Sequence, residues 1–318
     1  MSEGSDPHSD ELQQALENLR REIRSRFPAP RSDEPRSRSE WDGLLSRLRR
    51  RLSTLGMAER SGEVDEFGMD PVVVRRTQPL LEFLFEHYWR VDLAGLENLP
   101  QRGPCLLVCN RSGLLPYDGL MVSHAIATRH PSRERPRFFV ADWLITLPFV
   151  QPYLARLGGV RACRENAERL LDSGRFAVVF PEGVKGAAKV FRERYRLKRF
   201  GRGGVVRIAL ERRTPLVPVG IVGGEEAHPI LFKLGAPARA VGLPFLPVTP
   251  TFPLLGPLGL LPLPTKWVVR IGEPVPIEHL EPDAASDELL ISRLTEDLRD
   301  RVQALVDQGL GDRDSVWA

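Results

Sequence analysis

Residues 109–119, CNRSGLLPYDG, lie between a run with the composition of a buried strand and a run with that of a helix. The strand-like residues PCLLV precede this segment, and the apolar residues LMVSHAI follow it. A polar turn between a strand and a helix is a common place for a site in α/β proteins. Asp118 is placed to orient a base. However, the basic residue of the turn is Arg111, and a guanidinium cannot accept a proton.

The rest of the chain also alternates strand-like and helical segments. Helices are predicted over 72–88, 118–128, 164–172, 204–212 and 286–306. Strands are predicted at RVDLAG, 105–109, RFFVA, RFAVVFPEG, TPLVPVGIVGG and KWVVRIGEPV. The segment DWLITLPFVQPYLARLG is predicted to be helical, with breaks at its two prolines. This alternation predicts an α/β fold, with a mostly parallel sheet flanked by helices on both faces.

The N-terminal part differs in composition from the rest, which predicts two parts to the chain. Residues 1–69 are rich in Arg, Glu, Ser and Pro and form a charged extension, whereas residues 70–318 carry the core of the folded α/β domain. Residues 28–39, PAPRSDEPRSRS, have the composition of a linker. Residues 41–55 predict an amphipathic helix with arginines around its apolar face. Such a helix lies on an anionic membrane or docks on its own domain, and both interpretations stay open.

Charge is unevenly distributed along the chain. Residues 185–213 contain eleven Lys and Arg against two Glu, and residues 278–314 contain eleven Asp and Glu against four Arg. The basic block indicates an anionic partner such as a phosphate headgroup, coenzyme A or a membrane surface. The alternative interpretation is a solvated basic surface. Nucleic acid is not expected as a partner.

Three features bear on compartment and membrane topology. Cys105, Cys109 and Cys163 form no CxxC pair, which favours a reducing compartment and argues against structural zinc or another metal site. The polar N-terminus predicts no signal peptide. The most apolar stretch, residues 243–264, is interrupted by prolines, so it is expected to pack on the protein or dip into a lipid interface. The expected location is cytoplasmic, peripheral on the inner face of the membrane.

Two further segments have features of ligand-binding turns. VVFPEGVKG, residues 178–186, places Glu182 and Gly183 just past an apolar strand. RLKRFGRGGVVRIAL, residues 196–210, gives a helix a basic, glycine-rich entry, and the free N–H groups of a helix N-terminus favour anions. Neither segment is a dinucleotide fingerprint or a P-loop.

Taken together, residues from about 65 to 276 resemble the lysophospholipid/glycerolipid acyltransferase superfamily, close to the branch of the mono- and diacylglycerol acyltransferases. The resemblance rests on the order of FGMDP, NRSGLLPYDG, FPEGVKG, FGRGGVVRIAL, PLVPVGIVGGEEAHP and LPVTPTFPLLGPLGLLPLPTKW. It implies acyl transfer to a hydroxyl of a glycerolipid or lysophospholipid at a membrane surface. The implied donor is acyl-CoA or acyl carrier protein as co-substrate, with no bound cofactor.

The resemblance also implies roles for individual residues. In this family the first motif begins Asn-His and ends in Asp, and the Asp orients the His, which is the general base. Asp118 fits this pattern, but Arg111 stands at the position of the His. The implied acceptor-binding residues are Asn110, Ser112, Gly113, Glu182 and Gly183. The residues implied to hold phosphate or coenzyme A are Lys185, Lys189, Arg192, Arg199 and Arg202.

The departure at position 111 has a chemical consequence. Arginine stays charged, so Arg111 opposite Asp118 predicts an ion pair rather than a base. Loss of a general base costs roughly 100- to 10,000-fold in rate. His228, which follows VGGEEA at a strand end, is the alternative base; its other interpretation is a structural loop residue. Two functions therefore stay open, an acyltransferase and a non-catalytic lipid- or acyl-binding homologue.

Overall fold

The computed structural model describes residues 64–113, 115–145, 151–235, 238 and 243–317. The predicted linker at 28–39 and the predicted amphipathic helix at 41–55 lie outside these residues.

A seven-stranded sheet lies at the centre of the described chain. Its strands are β1 (Asp92–Ala94), β2 (Cys105–Cys109), β3 (Arg137–Val140), β4 (Gly159–Arg161), β5 (Phe176–Val179), β6 (Leu216–Val222) and β9 (Val268–Ile271). Their order across the sheet is β1-β9-β6-β2-β5-β3-β4. The strands from β6 to β4 are all parallel, while β9 runs antiparallel to β6. This confirms the predicted α/β fold with a mostly parallel sheet.

Helices cover both faces of the sheet. They are α1 (Pro71–Phe83), α2 (Tyr117–Arg129), α3 (Asp142–Ile145), α4 (Gln151–Arg156), α5 (Arg164–Asp172), α6 (Gly183–Ala187), α7 (Gly204–Glu211), α8 (Gly224–Ala227) and α9 (Glu288–Gly311). A π-helical turn, Leu84–Tyr88, extends α1. Residues of α1 and α2 share one core with one face of the sheet, and residues of α5, α7 and α9 share a second core with the other.

The local sequence accounts for these elements. Every residue of β2, β3, β5, β6 and β9 is buried, which is why these strands have nearly continuous apolar runs. The side chain of Asp70 caps α1 by accepting N–H bonds from Val72 and Val73, and Pro71 begins the helix. Gly220 leaves room for α9, because a Cβ there would lie 2.7 Å from the backbone of Leu305.

Sequence analysis did not predict three short strands. These are β4 and the separate hairpin of β7 (Phe232–Leu234) and β8 (Leu246–Val248). Each has three residues, too few for a period to be recognised. None of the helices in the described ranges combines the length and the apolarity that crossing a bilayer requires.

The topology brings three strand ends together. β2 lies between β5 and β6 and is parallel to both, so the residues that follow these strands meet at one edge of the sheet. Arg111 follows β2, Glu182 follows β5 and Glu225 follows β6. This is the edge where open parallel sheets bind ligands.

Candidate functional site

Arg111 and Asp118 form a buried ion pair across the turn between β2 and α2. Arg111 Nη1 donates to Asp118 Oδ1 at 2.7 Å, and the two side chains are 9% and 1% exposed. The Asp118 carboxylate also accepts the backbone N–H of Ser112 at 3.1 Å and of Gly119 at 2.8 Å. The predicted ion pair is therefore confirmed. Asp118 has as its side-chain partner a permanent cation rather than an imidazole.

The surroundings of Asp118 act on its ionisation in opposite directions. Burial raises the pKa of the carboxyl, whereas the Arg111 guanidinium and the backbone N–H groups of Ser112 and Gly119 oppose the rise. The guanidinium therefore helps keep a buried carboxylate charged. Arg111 also lies over the ring of Phe180, with its Cζ 5.0 Å from the ring centroid.

Glu182 holds the backbone of position 111 from the side opposite Asp118. Its Oε1 accepts the backbone N–H of Arg111 at 2.8 Å, and its Oε2 accepts the backbone N–H of Lys198 at 2.7 Å. Glu182 is only 3% exposed. Sequence analysis assigned Glu182 to acceptor binding, but both carboxylate oxygens are engaged by the protein. The geometry gives it a positioning role for the turn.

A second buried charge cluster lies behind Glu182. Lys189 Nζ is 2.5 Å from Glu225 Oε1 and 3.4 Å from Glu182 Oε2, and its side chain is 2% exposed. Glu225 Oε2 accepts the backbone N–H of Tyr195 at 2.7 Å. Burial raises the pKa of Glu225, while Lys189 and the Tyr195 N–H oppose the rise. Lys189 was predicted to hold phosphate or coenzyme A. In the structure, the carboxylates of Glu182 and Glu225 lie on either side of its ammonium group instead.

The side chain of Asn110 is likewise hydrogen-bonded within the protein. Its amide nitrogen donates to the carbonyl of Ile221 at 2.8 Å, and its amide oxygen accepts the N–H of Ile221 at 2.7 Å. The side chain is fully buried. Asn110 therefore extends the pairing of β2 with β6 beyond the last strand residue. This use differs from the acceptor contact that sequence analysis predicted for it.

Ser112, by contrast, has an unused polar atom. Its hydroxyl is buried and has no hydrogen-bond partner among the residues that the structure describes. Gly224 packs closely against it, since a Cβ on Gly224 would lie 2.4 Å from Ser112 Oγ. Gly113 lies next to the Gly224 carbonyl as well, since a Cβ on Gly113 would be 3.5 Å from that oxygen. The β2 turn and the start of α8 thus form one packed unit.

His228 lies beside this unit, at the end of α8. Its ring stacks on Tyr117 at 5.8 Å between centroids, and Tyr117 immediately precedes Asp118. Nε2 is 2.8 Å from the carbonyl of Leu260, which can only accept, so Nε2 carries the proton in the neutral ring. Burial lowers the pKa of His228. Burial therefore favours the neutral ring, whose lone pair is on Nδ1. His124, by contrast, is bonded to Glu82 at 2.6 Å on the other side of α2.

Two cavities meet near Arg111. A small one of about 70 Å³ is lined by Arg111 and Gly183, among others, and a larger one of about 380 Å³ opens between α5, α7 and α9. The two share Phe139, Ala162 and Phe180 in their walls. The lining of the larger cavity is mostly apolar, with Arg202 among the few charged side chains. Sequence analysis did not predict the shared wall, because an apolar residue at a strand end carries no signal of the cavity it borders.

The predicted phosphate-binding cations lie in different environments. Lys185, Arg192, Arg199 and Arg202 are exposed, unlike Lys189. Arg199 and Arg202 line a further cleft of about 360 Å³ beside the larger cavity, with Gly203 and Arg299 in the same wall. Gly203 is the N-cap of α7 and has a φ of 75°. Because glycine has no side chain, the first N–H groups of that helix have no side-chain cap. These two arginines therefore form a cationic rim at a helix N-terminus.

Comparisons with known proteins include the part of the chain that forms this site. A family model described as Acyltransferase matches residues 90–222. Uncharacterized proteins of Mycobacterium tuberculosis and Mycobacterium leprae are each 43% identical over 258 residues, which is 80% of this chain and 71% and 70% of theirs. The crystal structure of the 1-acyl-sn-glycerophosphate acyltransferase PlsC from Thermotoga maritima matches with a TM-score of 0.48 and 21% identity, over 76% of this chain and 81% of its own. The range of the family model includes the ends of β2, β5 and β6.

Proposed function

Because a family model described as Acyltransferase matches residues 90–222 and the motifs resemble the glycerolipid acyltransferase superfamily, we propose that this chain transfers a fatty acyl group to a hydroxyl of a glycerolipid or lysophospholipid. The proposed donor is acyl-CoA or acyl carrier protein, used as a co-substrate. The proposed turnover is slow, because Arg111 occupies the place of the general base. The proposed site of action is a membrane surface on the cytoplasmic side.

The observation that carries the proposal is how position 111 is held. Asp118 binds its side chain, and Glu182 binds its backbone N–H. Both carboxylates come from the carboxyl edge of the sheet, and both are buried. A carboxylate in the place of Asp118 would be the natural partner of an imidazole N–H at position 111. The two carboxylates that would hold a base at position 111 are thus present, while the residue at that position is an arginine.

The reaction itself needs a proton acceptor. The acceptor hydroxyl attacks the thioester carbonyl carbon, the C–S bond breaks, and the thiol leaves. The hydroxyl proton must pass to a base or to water, and the thiolate must gain one. A guanidinium has donors and no acceptor, so Arg111 cannot take the hydroxyl proton at this position. The expected cost is roughly 100- to 10,000-fold in rate relative to a site with an imidazole.

The rest of the edge suits the two substrates. The apolar cavity of about 380 Å³ has the lining that an acyl chain requires. Arg199 and Arg202 at its rim have the charge that the phosphates of coenzyme A or of a carrier protein require. The unpartnered hydroxyl of Ser112 supports its assignment to the acceptor. Lys189 is left out of the proposed phosphate site, because it is buried between carboxylates.

A single-turnover assay tests this function. The full chain in excess is incubated with radiolabelled acyl-CoA and with each of a panel of lysophospholipids and acylglycerols. Slow transfer to a defined class of acceptor is expected, and a mock preparation from cells that do not express the chain controls for contaminating enzymes. Transfer to none of the acceptors, by either the natural protein or Arg111→His, would overturn the proposal.

A second candidate function is non-catalytic binding of a lipid or an acyl donor. The buried Arg111–Asp118 pair favours it, because a site without a proton acceptor can still bind both substrates. The two functions are separated by the same assay run alongside a binding measurement. Binding of acyl-CoA without transfer, in both the natural protein and Arg111→His, would establish the second.

A further inference from the structure

An exposed group of leucines lies in residues 250–264, which we call the leucine loop. Leu254, Leu255, Leu258 and Leu261 are 84%, 59%, 69% and 61% exposed. Single exposed leucines are ordinary, but several in one short segment form an apolar patch of the kind that marks an interaction surface. A short 3₁₀ helix, Gly256–Leu260, presents the central part of the patch.

The loop has a defined internal structure. The Thr251 hydroxyl donates to the carbonyl of Gly259 at 2.8 Å, which closes the loop across its base. A Cβ on Gly259 would lie 2.4 Å from the Thr251 carbonyl oxygen, so glycine permits this close approach. At the far end, the N–H of Leu263 donates to the carbonyl of Ala227 at 2.8 Å. The leucines are therefore held outward by bonds within the loop and to α8.

The stretch of chain that contains the loop carries basic residues and no acidic ones. Residues 229–272 contain Lys233, Arg239, Lys266 and Arg270 and no Asp or Glu, although the chain has 42 acidic residues in 318. β7 adds to the patch, since Phe232 and Leu234 are exposed on either side of Lys233. β8 pairs with β7 and leads directly into the loop. Arg270 is buried and paired with Asp92 and Asp312, so among the described residues the exposed cation beside the patch is Lys233. An exposed apolar patch with a cation beside it has the character of a surface that enters an anionic bilayer.

The loop is also bonded to residues next to the candidate site. Its Leu260 carbonyl accepts from His228 Nε2 at 2.8 Å, and its Pro262 carbonyl accepts from the Tyr88 hydroxyl at 2.7 Å. His228 in turn stacks on Tyr117, the residue before Asp118. A lipid surface that contacts the loop would therefore lie beside the turn that carries Asp118.

We infer that the leucine loop, together with β7, is a docking surface for an anionic lipid bilayer. The leucines enter the boundary between headgroups and acyl chains, and Lys233 contacts the anionic headgroups. Docking would bring the carboxyl edge of the sheet, where the candidate site lies, close to the hydroxyl groups of lipids. Only that last consequence rests on the proposed acyl transfer; the docking itself does not.

The first test is partition of the full chain onto vesicles in the absence of any acyl donor. Phosphatidylcholine vesicles with and without phosphatidylglycerol are compared for the natural protein and for Leu254→Ser with Leu258→Ser. Partition onto the anionic vesicles should fall about ten-fold or more in the double variant. The matched control is Leu289→Ser, which removes a leucine that is 62% exposed on α9, and it should leave partition unchanged. Equal partition of all three proteins would overturn the proposal.

The second test separates the loop from the N-terminal extension. An environment-sensitive fluorophore is attached to Leu258→Cys or to Leu289→Cys, each in a Cys163→Ser background. Anionic vesicles should shift the emission to the blue for the first label and leave the second unchanged. A blue shift that instead follows protein concentration without vesicles would mean that a second copy covers the loop, and it would overturn the proposal. Because no donor is present, docking can be established even where acyl transfer fails.

Discussion

The two buried charge clusters at the carboxyl edge of the sheet differ in what they hold. Both residues of the Arg111–Asp118 pair lie in one turn, and Asp118 also accepts the N–H groups of Ser112 and Gly119. The cluster of Lys189 with Glu182 and Glu225 joins three segments instead. Its carboxylates bind the backbone at positions 111, 198 and 195.

This difference indicates that one cluster stabilises the fold and that the other lies where the proposed reaction takes place. Lys189 is the shared cation of two buried carboxylates, so its removal would leave both without their countercharge. Arg111 is the partner of one carboxylate that also accepts two backbone N–H bonds. We therefore expect the fold to depend on Lys189 and the chemistry to depend on Arg111.

The largest expected effect on stability is that of Lys189→Met. Removing one partner of a buried ion pair costs about 3–5 kcal/mol, because the remaining charge is left uncompensated. The free energy of unfolding, measured by urea titration, should fall by that amount at pH 8. The exposed Lys185→Met is the matched control and should change it by less than about 0.5 kcal/mol. Equal urea midpoints for Lys189→Met and Lys185→Met would contradict the expectation that the fold depends on Lys189.

The pH dependence sharpens the same prediction. Burial raises the pKa of Glu225, and Lys189 opposes the rise, so the variant should raise the pKa further. A carboxyl with a raised folded-state pKa binds more protons folded than unfolded. Stability therefore increases as pH falls through the folded-state pKa towards the unfolded-state value. The loss in Lys189→Met should be smaller at pH 5 than at pH 8, and a larger loss at pH 5 would contradict this account.

An intermediate effect is expected for Asp118→Asn. The amide keeps the shape and its oxygen can still accept from Arg111 Nη1, but the substitution removes the countercharge, so the expected cost is about 1–3 kcal/mol. Arg111→His should cost less than Asp118→Asn, because Asp118 would keep a hydrogen-bond donor. Both values come from urea unfolding at pH 7. A greater loss for Arg111→His would show that the arginine serves the fold rather than occupying a catalytic place.

The smallest expected effect is on binding at the rim of the large cavity. Arg199→Glu with Arg202→Glu should weaken coenzyme A binding about ten-fold at low salt, and the difference should shrink at high salt because exposed charges are screened. Titration calorimetry at two salt concentrations measures this. Arg196→Glu, an exposed cation that lines neither cavity described above, is the control. An affinity that salt and charge reversal leave unchanged would support only the solvated-surface interpretation of the basic block.

The sequence predicted the sheet well, because five of its strands are buried along their whole length and so have continuous apolar runs. The Arg111–Asp118 pair was also predicted, since both residues lie in one short turn. Lys189 and Glu225 were not recognised as partners. Lys189 lies in a basic block that resembles an exposed surface, and its burial depends on β5 and β6 lying on either side of β2. Contacts between distant segments of this kind have no local signal in the sequence.

Glu182 illustrates the same limit. A glutamate just past a strand end has the position of a ligand-binding residue, and the family resemblance implied acceptor binding. Nothing in the sequence indicates that the backbone N–H groups of Arg111 and Lys198 occupy its two oxygens. The exposed leucines, in contrast, were partly predictable, because proline-interrupted apolar segments neither span a membrane nor pack completely.

The central claim is that position 111 lacks a base in a site that still supports one. Single-turnover transfer of a labelled acyl group from acyl-CoA to a lysophospholipid, compared between the natural protein, Arg111→His and Arg111→His with Asp118→Ala, tests it most directly. The account predicts that Arg111→His raises the rate constant by roughly 100- to 10,000-fold and that the added Asp118→Ala removes much of the gain. Fast transfer by the natural protein that Arg111→His slows would contradict the account. His228→Ala would then test whether the neutral His228 ring accepts the proton.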